Sequence, residues 1–114
     1  EERYLVYGDY GYGNVLADKG QVTAVLDWAN AEYGDFVFDL AWLDFELPAY
    51  NFHDLFRRRF ADQGRIVPHF DERMLCYECW IALDSLRFNA HVGNEAEYRR
   101  AVERIRGLFP EGLT

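Results

Sequence analysis

Strand-like and helix-like patterning are segregated along these 114 residues, and that segregation constrains the fold more tightly than any other feature. The strand-like runs are short and early. Leu5-Val6-Tyr7 runs into Gly8-Asp9, and Tyr10-Gly11-Tyr12-Gly13 follows as a loop whose glycines permit unusual backbone angles. Asn14-Val15-Leu16-Ala17 and Val22-Thr23-Ala24-Val25-Leu26 flank Asp18-Lys19-Gly20-Gln21, which predicts a β-hairpin ending at Asp27-Trp28. Beyond Gly34 the period becomes helical. Val37, Leu40, Ala41 and Leu47 share a face, with Asp35 as N-cap and Pro48 as stop. Phe52, Leu55, Phe56 and Phe60 define a second helix from about Asn51 to a Gly64 cap. A third runs from near Asp71 through Leu75, Cys79, Trp80, Leu83 and Leu86 to Gly93. A fourth follows Asn94 and carries Tyr98, Ala101, Val102, Ile105 and Leu108. A small β element followed by four helices is an α+β arrangement dominated by helix.

Length and composition bound the rest. The chain is one domain's worth of protein, half its residues are apolar, and 3 Trp, 8 Tyr and 9 Phe predict a core rich in rings. Twenty acids against twelve bases give a net charge of −8, which argues against binding nucleic acid through its phosphates. Between Lys19 and Arg57 there is no basic residue, while Asp27, Glu32, Asp35, Asp39, Asp44, Glu46 and Asp54 accumulate. Such an interval is read either as solvated helix faces or as an anionic pocket for a metal ion or a cationic substrate. No apolar run reaches the ~18 residues of a membrane helix. Cys76 and Cys79 form a lone C-x-x-C inside a helical pattern, read as two buried thiols in a reducing cytoplasm rather than as a metal or redox site.

The chemistry is concentrated in the first 27 residues. Asp9 follows a strand, Asn14 comes five residues later, and Asp27 closes the hairpin that Asn14 opens. A hairpin brings its ends together, so three oxygen-bearing side chains converge at one rim of a small sheet. Hard oxygens in that arrangement suit Mg²⁺, with Asn14 and Asp27 each offering one, and leave Asp9 to accept or orient the proton of a hydroxyl attacking phosphorus. Taken singly, the same residues read as turn formers and a cap.

The motif Leu5-Val6-Tyr7-Gly8-Asp9, four residues, then Asn14-Val15-Leu16 resembles the H-G-D-x-x-x-x-N catalytic loop of aminoglycoside phosphotransferases and related small-molecule kinases, itself similar to the loop of protein kinases. Val22–Trp28 resembles that family's strand ending in a metal-binding Asp, and Tyr33-Gly34-Asp35 with Phe38-Asp39-Leu40-Ala41 resembles its G-D-x-x-x-D-L-A segment. The general pattern is most similar to hygromycin-type phosphotransferases. The resemblance implies that residues 1–114 are a single domain, the mainly helical C-terminal lobe of a protein-kinase-like fold with a hairpin carrying the catalytic loop. It implies Asp9 as catalytic base, Asn14 and Asp27 as magnesium ligands, and Asp39 as the carboxylate that accepts hydrogen bonds from the catalytic-loop backbone. Tyr7 stands where the family's usual His supports the loop; Tyr fills the space but offers one hydroxyl in place of two ring nitrogens. His53, His69 and His91 are read as ordinary histidines.

The implied activity is transfer of a phosphoryl group from Mg²⁺-bound ATP or GTP to a hydroxyl of a small, cationic, aminoglycoside-like acceptor. The Gly-rich loop and the strand lysine of such a kinase have no counterpart here, because eight residues precede Asp9 and Lys19 lies in the hairpin turn. The expectation is therefore a catalytic lobe without its nucleotide-binding N-terminal lobe, inactive in isolation, with an exposed inter-lobe face through which it could form a homodimer. The alternative is a non-catalytic binding or interaction module on the same fold.

Overall fold

The computed structural model describes residues 2–10 and 12–112. Two small antiparallel sheets precede the helices. Strand β1 (Tyr4–Val6) pairs with β4 (Glu32–Gly34), setting Leu5 opposite Tyr33. Strands β2 (Val15–Asp18) and β3 (Gln21–Val25) form the hairpin. Its turn residues Lys19 and Gly20 both have positive φ, 49° and 78°, the backbone that matches the twist of paired strands. Leu16 faces Ala24 but Ala17 faces Val22, so Thr23 bulges out of the ladder.

Helix α1 (Val37–Glu46) follows β4, then a 3-10 turn at Pro48–Tyr50, α2 (Phe52–Asp62), α3 (Phe70–Val92) and α4 (Glu95–Leu108). The caps explain the boundaries. Asn51 and Asn94 accept from the amides of Asp54 and Glu97, and Gly93 (φ 74°) takes the left-handed angle that ends α3. The N-cap position of α1 is Phe36 and not the expected Asp35, but the Asp35 carboxylate, two residues ahead of the first helical position, accepts from the Val37 amide at 3.0 Å. Helix α3 is the spine, with α1 and α4 packed along it, and Val37, Ala41, Phe45, Phe70, Met74, Ile81, Ala82 and Ala101 form the buried cluster. Rings extend it: Phe36 meets Phe60 edge-on, and Phe38 meets Tyr77 and Trp80 in the same way.

A buried polar junction ties the four helices. Asp44 of α1 accepts from the His53 amide of α2 at 3.1 Å. Arg104 of α4 donates to the Asp44 carbonyl at 3.1 Å and to Glu78 of α3 at 3.3 Å. Glu78 is 2% exposed, and burial, reinforced by the neighbouring Asp44 carboxylate, pushes its carboxyl up to about 8 against the pull of Arg104. Asp44, His53 and Glu78 offer ligand atoms within 4.8 Å of one another, but the guanidinium of Arg104 is the cation they share space with.

The architecture is the mainly helical α+β arrangement expected, with four further differences of detail. Glu32–Gly34 is a strand, because β1 needs a partner and only a distant segment supplies one. Asn14 closes a 3-10 turn (Tyr12–Asn14) instead of opening β2. In the expected glycine loop, Gly11 lies outside the described residues and Gly13 has no left-handed angle; Gly8 has one instead, at 81°. The thiols are not both buried: Cys76 is exposed and Cys79 half-buried, because neither sits on the line of α3 that carries the buried Met74, Glu78, Ile81 and Ala82. Among the described residues no helix is long and apolar enough to cross a membrane.

Candidate active site

The site is built where β1 ends. Two consecutive backbone amides there have no strand partner, and Asp39, in the first turn of α1, takes both. Its Oδ2 accepts from the Tyr7 N–H at 2.8 Å and its Oδ1 from the Gly8 N–H at 2.7 Å. Burial nevertheless raises the Asp39 carboxyl above its ordinary range, more than these two amides lower it. Gly8 is required twice over. Its φ is left-handed, and a Cβ there would lie 3.0 Å from the Asn30 carbonyl oxygen. The loop is thereby clamped between α1 and the segment before β4.

Asp9 follows directly. The Asn14 amide nitrogen donates to the Asp9 carboxylate at 3.1 Å and to the Asp9 carbonyl at 3.2 Å. The Leu26 amide donates to the Asn14 carbonyl at 2.8 Å, so the hairpin's far end returns beside Asn14. Asp27, the next residue, is exposed and has φ 58°, a left-handed angle that Asp tolerates better than most side chains. Asp9, Asn14 and Asp27 are thus brought to one corner. With Asn14 Nδ2 committed to Asp9, its Oδ1 is the atom left for another partner. A carboxylate, an amide oxygen and a second carboxylate at one solvent-facing corner fit a hard divalent cation.

Tyr7 links the two halves of this corner in a way its residue type did not disclose. It is 1% exposed, and its hydroxyl donates to the Leu26 carbonyl, one residue from Asp27. Its ring meets Trp28 edge-on at 4.9 Å and lies against Tyr10 at 4.6 Å. Burial raises the Tyr7 hydroxyl above its ordinary range, and the charges of Asp9 and Asp27 push it further, while Asn14 opposes them. Tyr10, Trp28 and Asn30 carried no signal in the sequence beyond being aromatic or polar near the motif; their role depends on how the hairpin folds back.

The acidic interval resolves into separate tasks. Asp35 is held by Arg73 of α3, whose Nε donates at 3.0 Å, and by the Tyr77 hydroxyl at 2.9 Å. Burial acts to raise the Asp35 carboxyl, but Arg73, the Val37 amide and Tyr77 together hold it below its ordinary value. Asp44 belongs to the helix junction, Glu46 lies 3.5 Å from Arg100, and Asp54 pairs with Arg57 and Arg58 on an exposed face of α2. His53 bonds Asp71 at 2.8 Å, far along the chain from the loop motif.

A strand leading into a loop clamped by a helix carboxylate, a following hairpin, and a helical body define the C-terminal lobe of a protein-kinase-like fold. The sequence profile of the phosphotransferase enzyme family matches residues 1–76, and the chain belongs to that family. It is 46% identical over 48 residues to the hygromycin-B 4-O-kinase of Escherichia coli, an alignment covering 42% of this chain and 14% of the kinase. The crystal structure of aminoglycoside phosphotransferase APH(4)-Ia superposes with a TM-score of 0.79 at 31% identity, covering 100% of this chain and 38% of that one. A thermostable mutant of the same enzyme, in ternary complex with AMP-PNP and hygromycin B, gives 0.77 at 30% identity over 98% of this chain and 38% of its own. The chain thus spans 38% of the length of these solved relatives.

Proposed function

We propose that this chain is the acceptor-side lobe of a small-molecule kinase that moves the γ-phosphoryl group of ATP or GTP to a hydroxyl of a small cationic molecule of the aminoglycoside kind. The observation that carries the reading is the corner where Asn14 bonds the Asp9 carboxylate and the hairpin returns to Asn14 just before Asp27. The relatives support the acceptor class, since one is a hygromycin-B kinase and another holds hygromycin B beside a nucleotide analogue.

In this reading Asp9 accepts or orients the proton of the attacking hydroxyl. Asn14 through Oδ1 and Asp27 through its carboxylate hold Mg²⁺, which when bound offsets charge on the transferring phosphate. Asp39 positions Asp9 by fixing the amides of the two residues before it. Tyr7, in place of a histidine, braces the loop against Leu26. The phosphate-covering loop and the lysine come from an N-terminal lobe, and these 114 residues alone transfer phosphate negligibly.

A chimera tests this directly. The corresponding segment of a full-length aminoglycoside phosphotransferase is replaced by this chain, and phosphorylation of hygromycin B is followed with ATP and with GTP. Transfer is expected, and Asp9→Asn should lower kcat by at least about 100-fold. A chimera that folds and binds nucleotide but transfers nothing would favour a non-catalytic binding module. For the metal, titration of the 114-residue chain with Mg²⁺ should show weak binding that Asp27→Ala abolishes; identical curves would remove Asp27 from the ligand set.

A further inference from the structure

Asp35 stands at the joint where β4 passes into α1, and those two elements hold the loop before Asp9 between them. Strand β4 pairs with β1, setting Gly34 opposite Tyr4 and Glu32 opposite Val6, and β1 runs directly into Tyr7 and Gly8. Helix α1 carries Asp39, whose carboxylate accepts from the Tyr7 and Gly8 amides. The joint is stitched by its own backbone. The Phe38 amide donates to the Asp35 carbonyl at 3.0 Å, and the Asp39 amide to the Phe36 carbonyl at 3.1 Å. A shift of Asp35 is therefore passed to Asp39 within about one helical turn.

What fixes the joint comes from α3. Arg73 and Tyr77 lie four residues apart and so share one face of that helix. Arg73 meets the Asp35 carboxylate with two guanidinium nitrogens, Nε to Oδ2 at 3.0 Å and Nη2 to Oδ1, while its Nη1 donates to the Pro68 carbonyl at 2.9 Å. The Tyr77 hydroxyl donates to Oδ2 at 2.9 Å. A planar fork on a carboxylate fixes direction as well as distance, which a single ammonium does not. The Arg73 and Asp35 side chains are 30% and 24% exposed, so solvent screens this pair less than the open ion pairs of α2. Capping the Val37 amide needs only one oxygen of Asp35. The fork and the phenol add a fixed orientation that a cap does not require. We propose that Arg73 and Tyr77 are positioning residues for the catalytic loop, acting through Asp35 and the first turn of α1 to set the place of Asp39 and hence of Asp9. The effect on rate rests on the phosphotransfer reading; the effect on the Tyr7 and Gly8 amides rests on the loop geometry alone, so the two can fail separately.

Two measurements test it. In the 114-residue chain, Arg73→Gln should shift the Tyr7 and Gly8 amide resonances and speed their hydrogen exchange. Tyr77→Phe, the milder change, should move the same resonances in the same direction. Ile81→Val loosens the buried cluster on α3 away from Asp35 and should leave them in place. In the chimera, Arg73→Gln should lower kcat about tenfold, with KM for ATP and hygromycin B unchanged. Arg73→Lys keeps the charge without the fork and should recover only part of that loss. Tyr7 and Gly8 amides unmoved by both Arg73→Gln and Tyr77→Phe in a folded chain would overturn the proposal. So would amides that move as far in Ile81→Val, or an unchanged kcat in an active chimera. A native chimera that transfers nothing would instead remove the phosphotransfer reading, and the amide shifts would still decide whether Arg73 and Tyr77 set the loop.

Discussion

Tyr7 shows how one side chain can join two elements that the sequence separates by nineteen residues. Its hydroxyl holds the Leu26 carbonyl and its ring seats Trp28, so loop and hairpin move together. Tyr7→Phe removes the hydroxyl and should cost about 1 kcal/mol in urea denaturation, with the Leu26–Trp28 backbone loosened in NMR. Asp39 is the stronger constraint, because a carboxylate serves two amides that one amide oxygen cannot. Asp39→Asn should destabilise by about 2 kcal/mol and shift the Tyr7 and Gly8 amide resonances. Gly8→Ala should cost a similar amount, about 2 kcal/mol, through positive φ and the nearby Asn30 carbonyl. The motif residues Asp9, Asn14, Asp27 and Asp39 were legible because their types and spacing belong to a recognisable pattern. Tyr10, Trp28 and Asn30 were not, because nothing local distinguishes a ring or an amide that meets its partner only after the chain has folded back.

At the scale of elements, the helices were readable from periodicity and caps, since each boundary is a local contest between intrahelical bonds and a capping side chain. Strand β4 was not readable, because three residues carry no period and its pairing with β1 joins residues 26 to 30 positions apart, from Val6 with Glu32 to Tyr4 with Gly34. The junction joining the helices makes a prediction of its own. Glu78 keeps its proton to about pH 8 in the fold, whereas its ordinary value is 4.5. The folded state binds a proton that the unfolded chain releases, so this stabilisation is complete below pH 4.5 and is lost as pH rises through 8. Between pH 5.5 and 8.5 the Tm of the native chain should fall steadily, and that of Glu78→Gln should fall markedly less. Equal losses in both proteins would place the pH dependence elsewhere.

Over the whole molecule, the radius of gyration is 15.1 Å, above the roughly 13 Å of a compact chain of this size. Two features account for it. The hairpin makes its main contacts within itself, and Leu16, Val22, Leu26 and Trp28 are exposed on or beside it. Helix α3 runs for 23 residues and lengthens the body. Stability is therefore uneven, and hydrogen exchange should find the slowest amides in α1 and the middle of α3, with those of β2 and β3 opening first. Uniform protection across hairpin and helices would contradict this.

The amino-acid sequence determined the α+β order and, to within a residue or two, the helix limits, and its motifs marked Asp9, Asn14, Asp27 and Asp39 as the candidate site residues. The order and the limits are written in periods and caps of a few residues, within reach of local physics; the candidate residues were marked by a family resemblance. Only the tertiary structure decided that Asp44 serves the helix junction and Asp35 the pair with Arg73 and Tyr77, that Tyr7 bridges to Leu26, and that Cys76 faces outward. Those outcomes depend on which surfaces meet when strand, hairpin and helices pack, and burial and hydrogen-bond partners exist only once they have met.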